Sequence, residues 1–416
     1  MRVLVTTLGS PSHGRAQLPL ARALAAAGHE VLAATTPPVA GVFAQDPVRV
    51  LPCLPDTVPG DTETARFAEL AARADLDDRA REEAVFGVLA EALSGPMARA
   101  ALARLAPVFE EFRPDLLLRD GMDLAGVVLA ERHGLPQLPT PSGAGNVMDP
   151  ATLLPGLNSL RADEGLPVHA DPLSLVPHGR IDCVPAAYTF ARHLPAALAY
   201  QQTVTVDRNA SLPAWTTDLP TDRPLVLAAM GTALPLFLAK FTDPERPMPY
   251  PMPDPVATLR AVVEAAALLH ECTVIVATLG LPLDPALRAA LPPHVHVVER
   301  VPQPLLLECV DLFLTHGGFN GIREALRTAT PMAVLPQFGD QHDNARRITE
   351  LGLGRHLRDT TPDAIAAGCR AVLADPECAA RARRARLAML TLPEIGAAVT
   401  DLEHLAAGHA APVPHP

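Results

Sequence analysis

Long apolar runs, lysine, aromatic side chains and paired cysteines are all scarce in this chain of 416 residues. No segment approaches the roughly 18 consecutive apolar residues of a membrane-spanning helix. A single lysine, Lys240, stands among 34 basic residues, and 46 acidic residues leave a net charge of −12. That balance argues against nucleic acid or an anionic membrane as the main partner, while leaving room for one small basic pocket. Aromatics at 4% offer little for a base-stacking platform. The cysteines Cys53, Cys183, Cys272, Cys309, Cys369 and Cys378 form no Cys-x-x-Cys pair and have irregular gaps. This argues against a zinc ribbon or a disulfide framework and points to free thiols in a reducing compartment. The opening MRVLVTTLGS lacks the apolar length of a secretory signal, so the expected location is cytoplasmic. The segment GSPSHG (9–14) lacks the middle glycine of a dinucleotide fingerprint, and no P-loop exists.

What is present is a repeated α/β rhythm. Arg2–Leu8 is a β-type run closed by Gly9-Ser10-Pro11, followed by a helical pattern from about Ala16 to Ala27 and a second β run, Glu30–Thr35. The second half begins the same way: Pro224–Met230, then Gly231-Thr232, a helical stretch near Pro255–His270, and β runs at Thr273–Ala277, Val295–Val298, Leu312–Thr315 and Met332–Leu335. Strand, loop, helix, strand is the parallel βαβ unit. The expected fold class is therefore α/β with two doubly wound, Rossmann-like domains, which bind ligands beyond the carboxyl ends of their strands. The expected domains are 1–206, a linker at 207–223 where periodicity fails, 224–392, and a terminal helix with a disordered tail at 393–416 that returns to the first domain. Residues from about Glu63 to Phe112 read as one long helical insert before the strand Asp115–Arg119. The proline cluster Pro244–Pro255 reads as an irregular excursion.

The strongest local signal is Thr315-His316-Gly317-Gly318-Phe319-Asn320-Gly321, placed after a strand and opening a helix. Glycines there let the backbone approach a ligand, and the first free N–H groups of the helix favour an anion. An isolated Gly-Gly turn would carry no function, but this one has company. Pro302-Gln303 precedes it; Glu324 follows His316 by eight positions; Pro331, Pro336 and Asp340-Gln341 complete the set. These residues and spacings resemble the nucleotide-sugar signature of GT-B glycosyltransferases, the superfamily of plant secondary-product and bacterial antibiotic glycosyltransferases. The resemblance implies that His316, Gly317 and Gly318 bind diphosphate with Asn320 and Gly321, where Gly321 lacks the hydroxyl of the plant version. It implies that Glu324 holds the ribose, that Asp340 and Gln341 hold sugar hydroxyls, and that Gly231-Thr232 lies under the nucleotide. Arg300, Val301 and Gln303 fall on the base-binding segment, with Arg300 where the family often has a stacking Trp.

The same resemblance covers the opening. The family carries a His-x-x-Pro segment in its first strand-to-helix loop, and its histidine is the general base; here it matches His13, with Ala16 in place of the proline. Histidine suits that role because it titrates near neutrality. The family's partner aspartate corresponds to Asp120, with Asp123 as the spare candidate and helix capping as the competing role. The implied reaction is an inverting single displacement that moves a hexose, read as a deoxysugar, from a thymidine or uridine diphosphate donor to a natural-product aglycone. No cofactor or metal is expected: the resemblance implies none, the helix opening at Gly317–Gly321 can supply the charge stabilisation, and no Asp-x-Asp motif is read in the chain. Acceptor contacts are expected from the insert, from Thr140–Pro150 with Ser142 and Asn146, and from Pro185–Leu198. The alternatives are a nucleotide-sugar epimerase on the same fold and a non-catalytic partner protein. The reading requires His13 and the diphosphate loop to face one shared cleft.

Overall fold

The apolar β runs form two large sheets and one short two-stranded pair, in which every pairing is parallel, in a computed structural model that describes residues 1–56, 60–201, 210–238 and 253–409. Runs such as VLVTT, LLLR, TVIVA and LFLT are continuous rather than alternating because a parallel sheet is covered on both faces. The chain divides into two compact units, whose described parts are residues 1–201 with 392–409, and 210–391.

The first unit runs β1 (Arg2–Thr7), α1 (Pro11–Ala26), β2 (Glu30–Thr35), β3 (Arg49–Leu51), then α2 (Asp61–Ala72), α3 (Asp78–Ser94) and α4 (Pro96–Phe112). It continues with β4 (Leu116–Arg119), α5 (Ala125–His133), β5 (Gln137–Pro139), α6 (Gly143–Val147), α7 (Pro150–Asp163) and the short pair β6 (Ile181–Asp182) and β7 (Leu198–Ala199). Its main sheet has the order β3-β2-β1-β4-β5. The strand order reverses between β1 and β4, which pair in register from Val3 with Leu116 to Thr6 with Arg119. The loops leaving these two strands therefore open side by side at a topological switch point.

The insert is three helices rather than one. Asp77 caps α3 by accepting from the Ala80 N–H at 2.8 Å. Gly95, at φ −114° and ψ −107°, then separates α3 from α4, which starts on Pro96. By length and composition the stretch Arg79–Phe112 is apolar enough to cross a membrane. Its second half instead buries Leu105, Val108, Phe109 and Phe112 in one core with Leu4 of β1 and Leu117 of β4.

The second unit runs β8 (Leu225–Ala229), α8 (Ala233–Leu238), α9 (Pro255–Leu268), β9 (Thr273–Ala277), α10 (Pro285–Ala289), β10 (Val295–Val298), α11 (Gln303–Leu306) and β11 (Leu312–Thr315). After these come α12 (Phe319–Thr328), β12 (Met332–Val334), α13 (Gln341–Leu351), β13 (Gly354–His356), α14 (Pro362–Leu373) and α15 (Pro376–Leu390). The order β10-β9-β8-β11-β12-β13 reverses between β8 and β11, where Ala229 pairs with Thr315. Gly231-Thr232 and the His316 loop are thus brought together by strand register alone.

The segment expected as a linker, 207–223, belongs in its described part to the second unit. A 3-10 turn, Ala214–Asp218, stacks Trp215 on His296 of β10 with ring centroids 5.7 Å apart, so the indole finds an aromatic partner instead of water. The last helix, α16 (Ile395–Ala406), packs on the first unit: Tyr200, fully buried, donates its phenolic O–H to Asp401 at 2.6 Å. Gln201, beside it, donates its backbone N–H to Pro393 O and its side-chain amide to Leu392 O, both at 2.8 Å. The Pro244–Pro255 cluster, apart from its last three residues, and the tail beyond His409 lie outside the described residues. Asp254, inside that cluster, caps α9 through the Val256 N–H at 2.9 Å.

Candidate active site

His13 sits one turn further into regular structure than the sequence suggested. Ser10 and Pro11 start α1 early, since proline is pre-organised for the first helical position. His13 therefore occupies the first turn of α1, and Gln17, one turn on, anchors that helix. The buried Gln17 amide accepts from Thr7 Oγ1 and donates to Thr6 O at 3.0 Å and Thr140 Oγ1 at 2.7 Å.

The switch point brings His13 Nδ1 within 2.8 Å of Asp120 Oδ2, although 107 positions separate them. Asp120 is 1% exposed and all its acceptors are used: Oδ2 also accepts from the Leu8 N–H at 3.2 Å, and Oδ1 from the Met122 N–H at 3.0 Å. Burial alone would push this carboxyl up. The charge and hydrogen bond of His13, with the two backbone donors, outweigh it and hold the group below the usual aspartate value. The imidazole of His13 therefore faces an ionised carboxylate.

Asp123, the spare candidate, has a different task. It accepts from Thr6 Oγ1 at 2.5 Å and from the Gly126 N–H at 2.9 Å, so it ties β1 to the start of α5. Burial pushes its carboxyl up. Arg119, which the sequence reading passed over, is 1% exposed and holds the turn between the two aspartates. Its Nη1 donates to Asp120 O at 3.3 Å and Gly121 O at 3.4 Å, its Nε to Gln137 Oε1 at 2.7 Å and its Nη2 to Leu175 O at 2.8 Å. Burial draws this guanidinium down to about 10, still charged at neutral pH.

Ser142 and Asn146, expected near the acceptor, are packed away. Ser142 caps α6 through the Gly145 N–H at 3.2 Å, and both residues are buried beside a void of about 20 Å³, room for a water molecule rather than a substrate. Gly121 and Gly145 explain the tight fit, since a Cβ on Gly145 would stand 3.1 Å from Gly121 Cα. A larger cavity of about 220 Å³ lies instead among Leu8, Leu93, Met97, Ala101, Met122 and Leu124. The insert supplies half of that wall. No basic side chain lines it among the described residues, and the backbone of Leu8 links it to Asp120.

In the second unit, His316 leaves β11 and inserts its ring between two glycines. A Cβ on Gly231 or Gly318 would run into His316 Nε2. Gly231 and Gly317 also hold positive φ, 76° and 83°, which favours glycine independently. Burial brings the His316 imidazole down to about 4, against a favourable contact with the Ala229 backbone. It is therefore neutral at neutral pH. Its Nδ1 is shut off from solvent and has no partner among the described residues.

Around this ring, Arg323 Nη2 donates to Asn320 Oδ1, and the Arg323 guanidinium lies over Phe319, 5.4 Å from the ring centroid. The buried Arg323 puts a positive charge beside the glycine loop that the sequence reading did not single out. Gln303 Nε2 donates to Glu324 Oε2 at 2.7 Å, which unites two expected ligands of the nucleoside. Gly321 packs on Phe313, where a Cβ would sit 3.2 Å from the ring. Thr232 is exposed, Val301 half-buried, and Arg300 is 73% exposed with its Nε 3.6 Å from Glu299, stacked on no aromatic ring among the described residues. Gln341 is 3% exposed and its Oε1 accepts from the Gln337 and Phe338 N–H groups at 2.8 and 3.2 Å. Only its amide nitrogen remains to meet a sugar.

Contrary to the expectation of no Asp-x-Asp motif, the chain has one triplet, Asp75-Leu76-Asp77. Asp75 is spent on Arg73, with both bonds at 2.6 Å, and Asp77 on the cap of α3. Among the described residues no three His, Cys, Asp or Glu side chains converge as a metal site.

The chain also resembles known proteins. Residues 260–405 match the model of the erythromycin biosynthesis protein CIII-like C-terminal domain. The chain is 40% identical over 117 residues to oleandomycin glycosyltransferase of Streptomyces antibioticus, an alignment that spans 27% of that protein. It is 29% identical to L-demethylnoviosyl transferase of Streptomyces niveus, covering 92% of this chain and 93% of the relative. Among solved structures, spinosyn rhamnosyltransferase SpnG superposes with a TM-score of 0.72 at 26% identity, over 97% of this chain and 100% of that one. With such likeness running through both units, the chain has the GT-B fold, and the proteins it resembles are glycosyltransferases of antibiotic biosynthesis.

Proposed function

We propose that the protein transfers a hexose, read as a deoxysugar, from a thymidine or uridine diphosphate donor to a hydroxyl of an apolar natural-product aglycone, with inversion and without a metal. The observation that carries the reading is the 2.8 Å contact between His13 and the buried, ionised Asp120. Asp120 accepts from Nδ1–H, which leaves Nε2 as the basic nitrogen. The acceptor hydroxyl loses its proton to Nε2 as its oxygen attacks the anomeric carbon, and Asp120 stabilises the imidazolium that forms. The nucleoside diphosphate leaves from the opposite face. Its growing charge meets the N-terminal N–H groups of α12, beside the neutral ring of His316. One displacement inverts the configuration.

Two further facts support this reading. SpnG has been solved with thymidine diphosphate and with the spinosyn aglycone. The apolar wall beside Leu8 and Met122 suits a hydrophobic acceptor. Incubation with labelled sugar nucleotides, a panel of aglycones and a chelator tests it. The expected product is a glycoside of inverted anomeric configuration, formed equally with chelator present and absent with His13→Ala. Retained configuration or loss of activity on chelation overturns the mechanism; epimerised free sugar nucleotide without glycoside overturns the transferase reading.

A further inference from the structure

Asn344 lies on α13 one turn after Asp340 and is 1% exposed. Its amide nitrogen donates to two oxygens, the backbone carbonyl of Gly317 at 2.9 Å and Oδ2 of Asp340 at 2.8 Å. A primary amide has two hydrogens, and a carbonyl and a carboxylate are pure acceptors. Chemistry therefore fixes which end of the amide faces them. The opposite end, Oδ1, is buried with no partner among the described residues. Leaving a buried acceptor unmet is unfavourable, so the side chain is held by its two donations.

The surroundings point the same way. A Cβ on Gly317 would stand 2.7 Å from Val334 Cγ1 and 3.3 Å from Gln341 O, so the glycine loop lies directly against the start of α13. Gln341, on the same helix, pins the turn that delivers Asp340 through the Gln337 and Phe338 N–H groups. Asp340 and Gly317 belong to two different subsites, one for sugar hydroxyls and one for diphosphate, and Asn344 touches both.

We propose that Asn344 is a positioning residue that couples these subsites: one amide holds the glycine loop and the Asp340 carboxylate in a single geometry, so that the loop gripping the diphosphate also sets the angle at which the hexose is read. Anchoring Oδ2 fixes the plane of the carboxylate and hence the direction from which a sugar hydroxyl is accepted. The proposal rests on the donor-site reading given above.

The test compares wild type, Asn344→Ala, Asn344→Asp, Asp340→Ala and the double variant Asp340→Ala/Asn344→Ala. Two readouts are taken: the kcat/KM ratio for two sugar nucleotides that differ in configuration at one hydroxyl, and the calorimetric Kd of the nucleoside diphosphate alone. Asn344→Ala is expected to lower the ratio about tenfold, the worth of one hydrogen bond to a charged group, and to weaken the diphosphate several-fold. Asn344→Asp, isosteric but presenting an oxygen to two acceptors, gives the same loss of discrimination if the alanine variant is unstable. In the Asp340→Ala background, Asn344→Ala has no further effect on the ratio but still weakens the diphosphate. A merely structural role would lower the melting temperature and leave the ratio unchanged. If Asp340→Ala loses discrimination while both Asn344 variants keep it, the coupling is overturned alone. If Asp340→Ala itself keeps discrimination, the sugar-site reading falls and takes the coupling with it.

Discussion

Replacing Asp120 by Asn removes one charge and leaves no comfortable orientation for the amide. Both carboxylate oxygens accept from backbone N–H groups, Oδ2 from Leu8 and Oδ1 from Met122. If the new NH2 takes the Oδ2 position, it opposes the Leu8 N–H and forces His13 to accept at Nδ1, which protonates Nε2 and removes the base. If it takes the Oδ1 position, His13 keeps its tautomer but the Met122 N–H is left facing another donor, at about 1–3 kcal/mol. Either way the imidazolium loses a charged hydrogen bond worth about 1.5–3 kcal/mol, so kcat should fall roughly 10- to 100-fold, and further if the wrong tautomer dominates. The pH profile supplies an independent sign. His13 lowers the Asp120 carboxyl, and by reciprocity the carboxylate favours protonated His13; without it, the acid limb of kcat/KM should move to lower pH while the plateau drops. Product formation followed by chromatography between pH 5 and pH 9 would show both. A variant within threefold of wild type, with an unmoved acid limb, would refute the assignment of Asp120 as the partner.

Three other outcomes follow from the same geometry. Asp123→Ala should destabilise the first unit by about 2 kcal/mol, through the unmet Thr6 hydroxyl and Gly126 N–H, with a lower melting temperature and an unshifted acid limb; a shifted limb would mean that Asp123 shares the catalytic charge. Gly231→Ala would drive a methyl into the His316 ring at a φ of 76°, so calorimetry should show at least tenfold weaker nucleoside diphosphate binding. His316 stands near 4 when folded, against an ordinary 6.5. The unfolded chain therefore binds the extra proton first, and stability should fall by up to about 3 kcal/mol as pH drops from 6.5 toward 4. Melting curves of His316→Gln should show a shallower acid dependence over that window; an equal slope would place the titration elsewhere.

The strands were legible because parallel sheets demand unbroken apolar runs: Glu30–Thr35, Thr273–Ala277, Val295–Val298 and Leu312–Thr315 were all read at their observed bounds. The three-residue strands β3, β5 and β13 carry too few side chains to announce themselves. The start of α1 was legible in hindsight from Ser10-Pro11. The breaks in the insert also had signals, a capping Asp77 and the pair Gly95-Pro96, which apolar periodicity masked. The resemblance put Asp120 ahead of Asp123, but residue type alone could not separate them, since two buried aspartates three positions apart differ only in which atoms the fold sets beside them. Arg119, Arg323 and Asn344 were out of reach for a related reason. Their roles lie in backbone carbonyls and carboxylates delivered by other elements, and no spacing rule records those.

The fastening at Tyr200 and Gln201 bears on how such enzymes are recombined. A front half cut from the gene as residues 1–201 would carry a phenol, an amide and a helix face shaped for a segment that is encoded almost two hundred codons later. Any exchange of lobes between relatives should therefore have two junctions, near 201/202 and 391/392, so that the final helix travels with the half it covers. A single-crossover hybrid would inherit a foreign closing helix, and poor folding of such hybrids would reflect that mismatch rather than incompatible substrates.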